Sequence, residues 1–109
     1  MKNDLSLLES LVKATESIQA NPQDAEAYLT RAALLHAMQR DEDALEDLDY
    51  LIDELGRKVP AAILLRGRIK MERGDKVGAM EDVRMAASLN PHLFDGLEGT
   101  FETKESGHC

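Results

Sequence analysis

Two pairs of opposite charge stand at one interval in this chain. Arg31 and Asp47 are sixteen residues apart, and so are Arg66 and Asp82. An arginine and a carboxylate make a two-pronged, charge-assisted contact, so a repeated spacing points to a repeated junction between two elements. Other residues capable of chemistry are scattered. His36, His92 and His108 lie far apart, and no two of them share one helical turn. His108-Cys109 offers two soft-metal donors, fewer than the roughly three or four protein ligands of a zinc site. Asp41-Glu42-Asp43 opens like a calcium loop, but Ala44, Leu45 and Glu46 follow where alternating ligands and a Gly turn are required. Helix capping by Asp41 or Asp43 is the expected role. Gly67 and Gly74 precede no Gly-Lys-Ser/Thr phosphate loop. No catalytic residue, metal site or cofactor follows, and a competing enzyme or metal-protein reading rests on His36 or His108-Cys109 alone.

The elements that position these residues are helical. Of 109 residues, Leu supplies sixteen and Ala thirteen, while only four are aromatic and none is Trp. Such a chain suits thin, closely packed helices better than strands of β-branched and aromatic residues. The net charge of −8 argues against a phosphate grip on nucleic acid, which needs a basic face. No apolar run approaches the roughly 20 residues of a membrane span, and none has the form of a signal peptide. With one cysteine, Cys109, there is no intramolecular disulfide, and a cytoplasmic location is expected.

Superposing Ala44 on Ala79 reveals a repeat with an offset of 35 residues. The same offset places Arg31 on Arg66, Ala32 on Gly67, Asp47 on Asp82, Glu46 on Glu81 and Tyr28 on Ile63. Each unit contains two helical stretches separated by a polar or Gly-containing break. Helices are expected over 3–20, 24–38, 41–54, 60–72 and 75–89. Gly74 ends one and Asp75 opens the next, Gly56 follows another as its C′ residue, and Pro60 stands at a helix start where Pro is tolerated.

These units resemble tetratricopeptide repeats, whose period is about 34 residues and whose two helices are antiparallel. Tyr28 and Ile63 occupy the early large position of that pattern, Ala32 and Gly67 the small one after it. Ala44 and Ala79 match its central alanine, Ala86 its later alanine and Pro91 its closing proline. Leu51 and Gly56 depart from the last two positions, which implies slightly wider packing in the first unit. The resemblance covers roughly residues 5–93 and implies an all-α, short α-solenoid of antiparallel helix hairpins, about two and a half repeats. The single domain 1–109 then divides into an N-terminal helix (1–22) like half a repeat, repeat one (25–58), repeat two (60–93) and a cap with a loose tail (94–109). Within it, Arg31/Asp47 and Arg66/Asp82 are expected to be structural pairs that fix helix register.

The resemblance also implies a ligand face on the first helix of each unit. In this chain that face comprises Glu26, Leu29, Ala33, His36 and Ala37, then Ala61, Leu64, Arg68, Met71 and Glu72. Positions at which carboxylate-gripping members carry Lys and Asn hold Leu29, Ala33 and Leu65, so the clamp for a peptide C-terminus is missing. An apolar peptide segment or helix of another protein fits the mixed lining better, unless Leu29 and Leu64 are simply covered by neighbouring helices. The expected function is a non-catalytic protein–protein interaction scaffold. The alternatives are a small acidic chaperone or assembly factor for one client, or a module that forms homo-oligomers through its terminal helices. Residues 59–91 are locally basic, net +2, beside an acidic 25–58, net −5. Arg66, Arg68, Lys70, Arg73 and Lys76 are expected to spread over a solvated surface. Phe94 and Leu97 are expected to cap the last helices.

Overall fold

The computed structural model describes residues 2–92, with side chains from residue 5 onward. It contains five α-helices: α1 (Lys2–Ala20), α2 (Ala25–Ala37), α3 (Asp41–Asp49), α4 (Pro60–Glu72) and α5 (Lys76–Leu89). No strand occurs among the described residues, and none of the described helices is long and apolar enough to cross a membrane. The expected caps from Phe94 and Leu97 lie outside the described residues.

Local chemistry sets the helix ends. Asn21-Pro22 breaks the chain after α1, and the Asp24 carboxylate accepts from the Ala27 N–H at 3.2 Å to start α2. Pro60 begins α4, where its missing N–H costs nothing. Asp75 caps α5 by accepting from the Gly78 N–H at 2.9 Å. Gly74 turns the chain between α4 and α5 with φ +90°, and Gly56 does so after the third helix with φ +67°, a region glycine enters without steric cost. The equivalent turn between α2 and α3 uses Gln39 at φ 62°.

Two expectations need correction here. Neither Asp41 nor Asp43 caps α3: the cap position is Arg40, with no side-chain cap bond, and the Asp41 carboxylate faces His36 instead. The single helix expected over 41–54 ends as an α-helix at Asp49 and continues through a wider π turn, Tyr50–Glu54. There the Leu55 N–H donates to the Tyr50 carbonyl five residues back.

Packing is antiparallel within each successive pair. His36 meets Asp41 beside the α2–α3 turn, while Arg31 meets Asp47 further from it. Lys70 lies against Gly78 beside the α4–α5 turn, and Gly67 against Asp82 further along. Small residues let the axes approach: Ala32 and Ala44 are wholly buried, and a Cβ on Gly67 would stand 3.1 Å from that of Asp82. Around these contacts Tyr28, Leu35, Leu48, Leu51, Ile52, Ile63, Ile69 and Ala86 close one continuous core. On α1, Leu11, Ala14 and Ile18 turn toward α2 at helical spacing, with Ala14 buried and the other two half-buried against that core.

Candidate functional site: the face of α2 and α4

Two ion-pair junctions, one half-buried at Arg31 and one buried at Arg66, hold the helices that carry the candidate face. Arg31 on α2 donates from Nε and Nη2 to the two oxygens of Asp47 on α3, at 2.8 and 2.7 Å, and its Nη1 lies 3.5 Å from the Thr15 hydroxyl of α1. Arg66 on α4 donates likewise to both oxygens of Asp82 on α5, at 3.0 and 2.9 Å. Its Nη1 reaches back to Asp49 at 3.0 Å and Asp53 at 3.2 Å. Each arginine therefore ties its own helix to the one before and the one after. Lys70 adds a contact to Asp82 at 3.3 Å. Among the described residues, no buried side-chain polar atom lacks a hydrogen-bond partner.

The electrostatics follow from these partners. Burial acts to lower the pKa of Arg66, but the hydrogen bonds it donates to Asp82 and Asp49 and the charges of Asp82 and Asp53 outweigh it, so the net shift is upward. The Arg31 guanidinium is raised chiefly by its bond to Asp47, against desolvation. Arg66 is buried, with 5% of its surface exposed, which corrects its expected place in a solvated basic surface. Arg68, Arg73 and Lys76 are exposed and Lys70 is half-buried.

The ten residues read as the ligand face all reach the surface. Glu26, Ala33, Ala37, Ala61, Arg68, Met71 and Glu72 are exposed, and Leu29, His36 and Leu64 are half-buried. Leu29 and Leu64 pack against the core while keeping part of their surface outside, so neighbouring helices cover them only in part. The residues read as packing positions lie inside: Tyr28, Ala32, Ala44, Ile63, Gly67, Ala79 and Ala86 are buried, whereas Pro91 is exposed.

Polar contacts border the face. His36 Nδ1 lies 2.8 Å from Asp41 Oδ1, and its Nε2 3.7 Å from Glu72 Oε1. Arg68 Nε reaches Glu72 Oε2 at 3.4 Å. No known family model matches the chain, and no curated protein is similar to it. The case for function therefore rests on the geometry and on the repeat pattern of the sequence.

Sequence reasoning missed three participants. Asp49 and Asp53 join Arg66 across the boundary between the two units, and their only signal is an acidic i, i+4 spacing on the helix after Asp47. Asp41 was expected as a cap, yet it lies five residues from His36, across a turn that brings the two together. A shallow cleft between α1 and α2 is lined by Ser10, Lys13, Ser17, Asp24, Glu26 and Thr30 around Ala14 and Ala27.

Proposed function

We propose that this chain is a non-catalytic scaffold of the tetratricopeptide-like class, which binds an apolar peptide segment or helix of another protein across α2 and α4. The observation that carries this reading is the surface position of all ten face residues, on the first helices of two successive hairpins. Leu29, Leu64 and Met71 supply apolar contact area, with Met71 46% exposed, and Arg68, Glu72 and His36 supply a polar edge. The rigid pairs behind that face, Arg31/Asp47 and Arg66/Asp82, support it further, because a preorganised surface loses less entropy on binding. The offset of 35 residues is about one longer than the family's period, and the stretch between Asp49 and Pro60 contains the π turn that accommodates an added residue.

The test is a pull-down from the native host with wild type and with Leu64→Asp/Arg68→Glu. The reading expects loss of the specific partner with unchanged helicity by circular dichroism. Retention of the same partner by the folded double variant contradicts it.

A second reading has its own observation. Leu5, Leu8 and Val12 on α1 are 61%, 48% and 55% exposed at i, i+3, i+7 spacing, an apolar stripe of the kind that covers itself by pairing copies. Light scattering from micromolar to millimolar distinguishes this: a concentration-dependent dimer abolished by Leu8→Lys supports it, and a strict monomer excludes it.

A further inference from the structure

His36, Asp41 and Glu72 come from three different helices. His36 stands in the last turn of α2, Asp41 is the first residue of α3, and Glu72 is the last of α4. One ligand-type atom from each lies within 4.8 Å of the other two. When the His36 imidazole is neutral, the 2.8 Å contact between its Nδ1 and the Asp41 carboxylate fixes the tautomer, because a carboxylate only accepts. Nδ1 carries the proton and donates it, and Nε2 keeps its lone pair. That lone pair faces Glu72 Oε1 at 3.7 Å, beyond hydrogen-bond length. Arg68 holds the second oxygen of the same carboxylate, leaving Oε1 turned toward the ring.

Two electron-pair donors opposed in this way suit a shared cation. A zinc-class ion takes imidazole nitrogen and carboxylate oxygen at about 2.0–2.2 Å, so tetrahedral donors stand about 3.3 Å apart. Glu72 is exposed, and a side-chain movement of a few tenths of an ångström closes the difference. The carboxylate–imidazole–metal order is the arrangement that fixes a ligand histidine's tautomer and strengthens its donation.

A second observation sets the first hairpin apart. In the second, Asp75 caps its helix in the ordinary way. In the first, α3 begins without a side-chain cap and Asp41 is committed to His36. At the offset of 35, His36 and Asp41 correspond to Met71 and Lys76, so the constellation is not a requirement of the repeated hairpin. The open hollow that adjoins it is lined by Arg40 and Arg73 as well as by Asp41, Glu42 and Asp43. Arg40 pairs with Asp43 and Arg73 with Glu42, so the hollow itself adds no donor.

We propose that His36 Nε2 and the Glu72 carboxylate form an exchangeable two-donor site for a divalent zinc-class transition metal between the two hairpins, with Asp41 orienting the imidazole and water completing the coordination. Two protein donors fall short of the roughly three or four that hold a resident zinc ion. The mixed nitrogen and oxygen donors favour Zn2+, Co2+ or Ni2+ over Mg2+ and Ca2+, which take oxygen ligands. The bound ion links α2 to α4, so it raises the melting temperature. This proposal is independent of peptide binding and is read without any partner.

The experiment uses the full chain with His108→Gln and Cys109→Ser, which removes the other adjacent donor pair. ZnCl2 is titrated by calorimetry while imidazole resonances are followed by nuclear magnetic resonance. The proposal expects one equivalent bound, movement of the His36 resonances, and a melting temperature raised by zinc and unmoved by Mg2+ at the same concentration. His36→Gln and Glu72→Gln should each weaken binding at least ~10-fold, and Asp41→Asn by ~10-fold, the scale of an orienting partner. Absence of binding overturns it. So does binding that leaves the His36 resonances in place, or binding undiminished in His36→Gln.

Discussion

Arg66 grips both oxygens of Asp82 at 3.0 and 2.9 Å while the two residues keep only 5% and 1% of their surface exposed. Among the described residues, the charges are satisfied by each other, by Lys70, and by Asp49 and Asp53 from the preceding hairpin. Removing Asp82 leaves Arg66 Nε and Nη2 buried without their acceptor, while Asp49 and Asp53 still hold Nη1. Asp82→Ala should therefore lower the unfolding free energy by about 3 kcal/mol, the range for breaking a buried pair. Asp47→Ala should cost less, about 1–2 kcal/mol, because the Arg31 side chain keeps 25% exposure. Urea denaturation of both variants checks the order. An Arg66→Leu protein as stable as wild type that no longer bound its partner would reassign Arg66 to the ligand site.

The two hairpin turns make a matched comparison. Gln39 has φ 62° where Gly74 has φ +90°, and a side chain in the left-handed region is strained. Gln39→Gly should stabilise the protein by up to ~1 kcal/mol, the strain relieved exceeding the entropy glycine adds to the unfolded chain. Thermal melts of Gln39→Gly and Gln39→Ala decide the point, since alanine leaves the strain in place.

The helix starts should respond unequally. Asp75→Ala removes a cap that accepts from the Gly78 N–H and should cost about 1 kcal/mol. Asn at position 75 should restore most of it. Asp43→Ala, on a side chain paired only with Arg40 among the described contacts, should change stability by less than ~0.5 kcal/mol. Equal losses from the two substitutions would show that α3 is capped in solution after all.

Tyr28 ties alkaline pH to stability. Burial is the largest cause raising its pKa above 10.0, followed by the neighbouring Tyr50, whose ring centroid lies 5.3 Å away. Its hydroxyl donates to the Pro22 carbonyl at 2.9 Å. A pKa raised in the folded state means folding favours the protonated phenol. That contribution is complete below the unfolded value near 10 and is lost as pH rises through the folded value. The absorbance titration near 295 nm should lose its component above the ordinary tyrosine value in Tyr28→Phe, and that variant's stability should fall less steeply above pH ~10.

Much of this architecture is written in local chemistry. Asp75, Gly74, Gly56 and Pro60 mark helix ends because each has a backbone property that its neighbours lack. The sixteen-residue spacing suffices to bring Arg31 to Asp47 and Arg66 to Asp82, since it spans one turn between antiparallel helices. Asp49 and Asp53 were not legible, because their contact with Arg66 depends on how one hairpin sits against the next, which no single-unit spacing encodes. The π turn at Tyr50–Glu54 is equally silent: Leu51 and Ile52 fit an α-helix as readily as a wider turn. Asp41 was misread because capping and pairing with His36 draw on the same carboxylate, and geometry across the turn chose between them. The face residues were located through a resemblance, because exposure on α2 and α4 is a property of the folded hairpins rather than of any one residue's type.

Site-directed photo-crosslinking tests the central claim most directly. A photoreactive amino acid is placed at position 64, on the α2–α4 face, and in a separate protein at position 81, exposed on α5. Each is expressed in the native host and its adducts mapped to the partner's peptide. The account predicts one dominant adduct at position 64, on an apolar segment of a single protein, and its loss when Arg68→Glu is added. An adduct that forms only at position 81, or one at position 64 that is indifferent to Arg68→Glu, would contradict it.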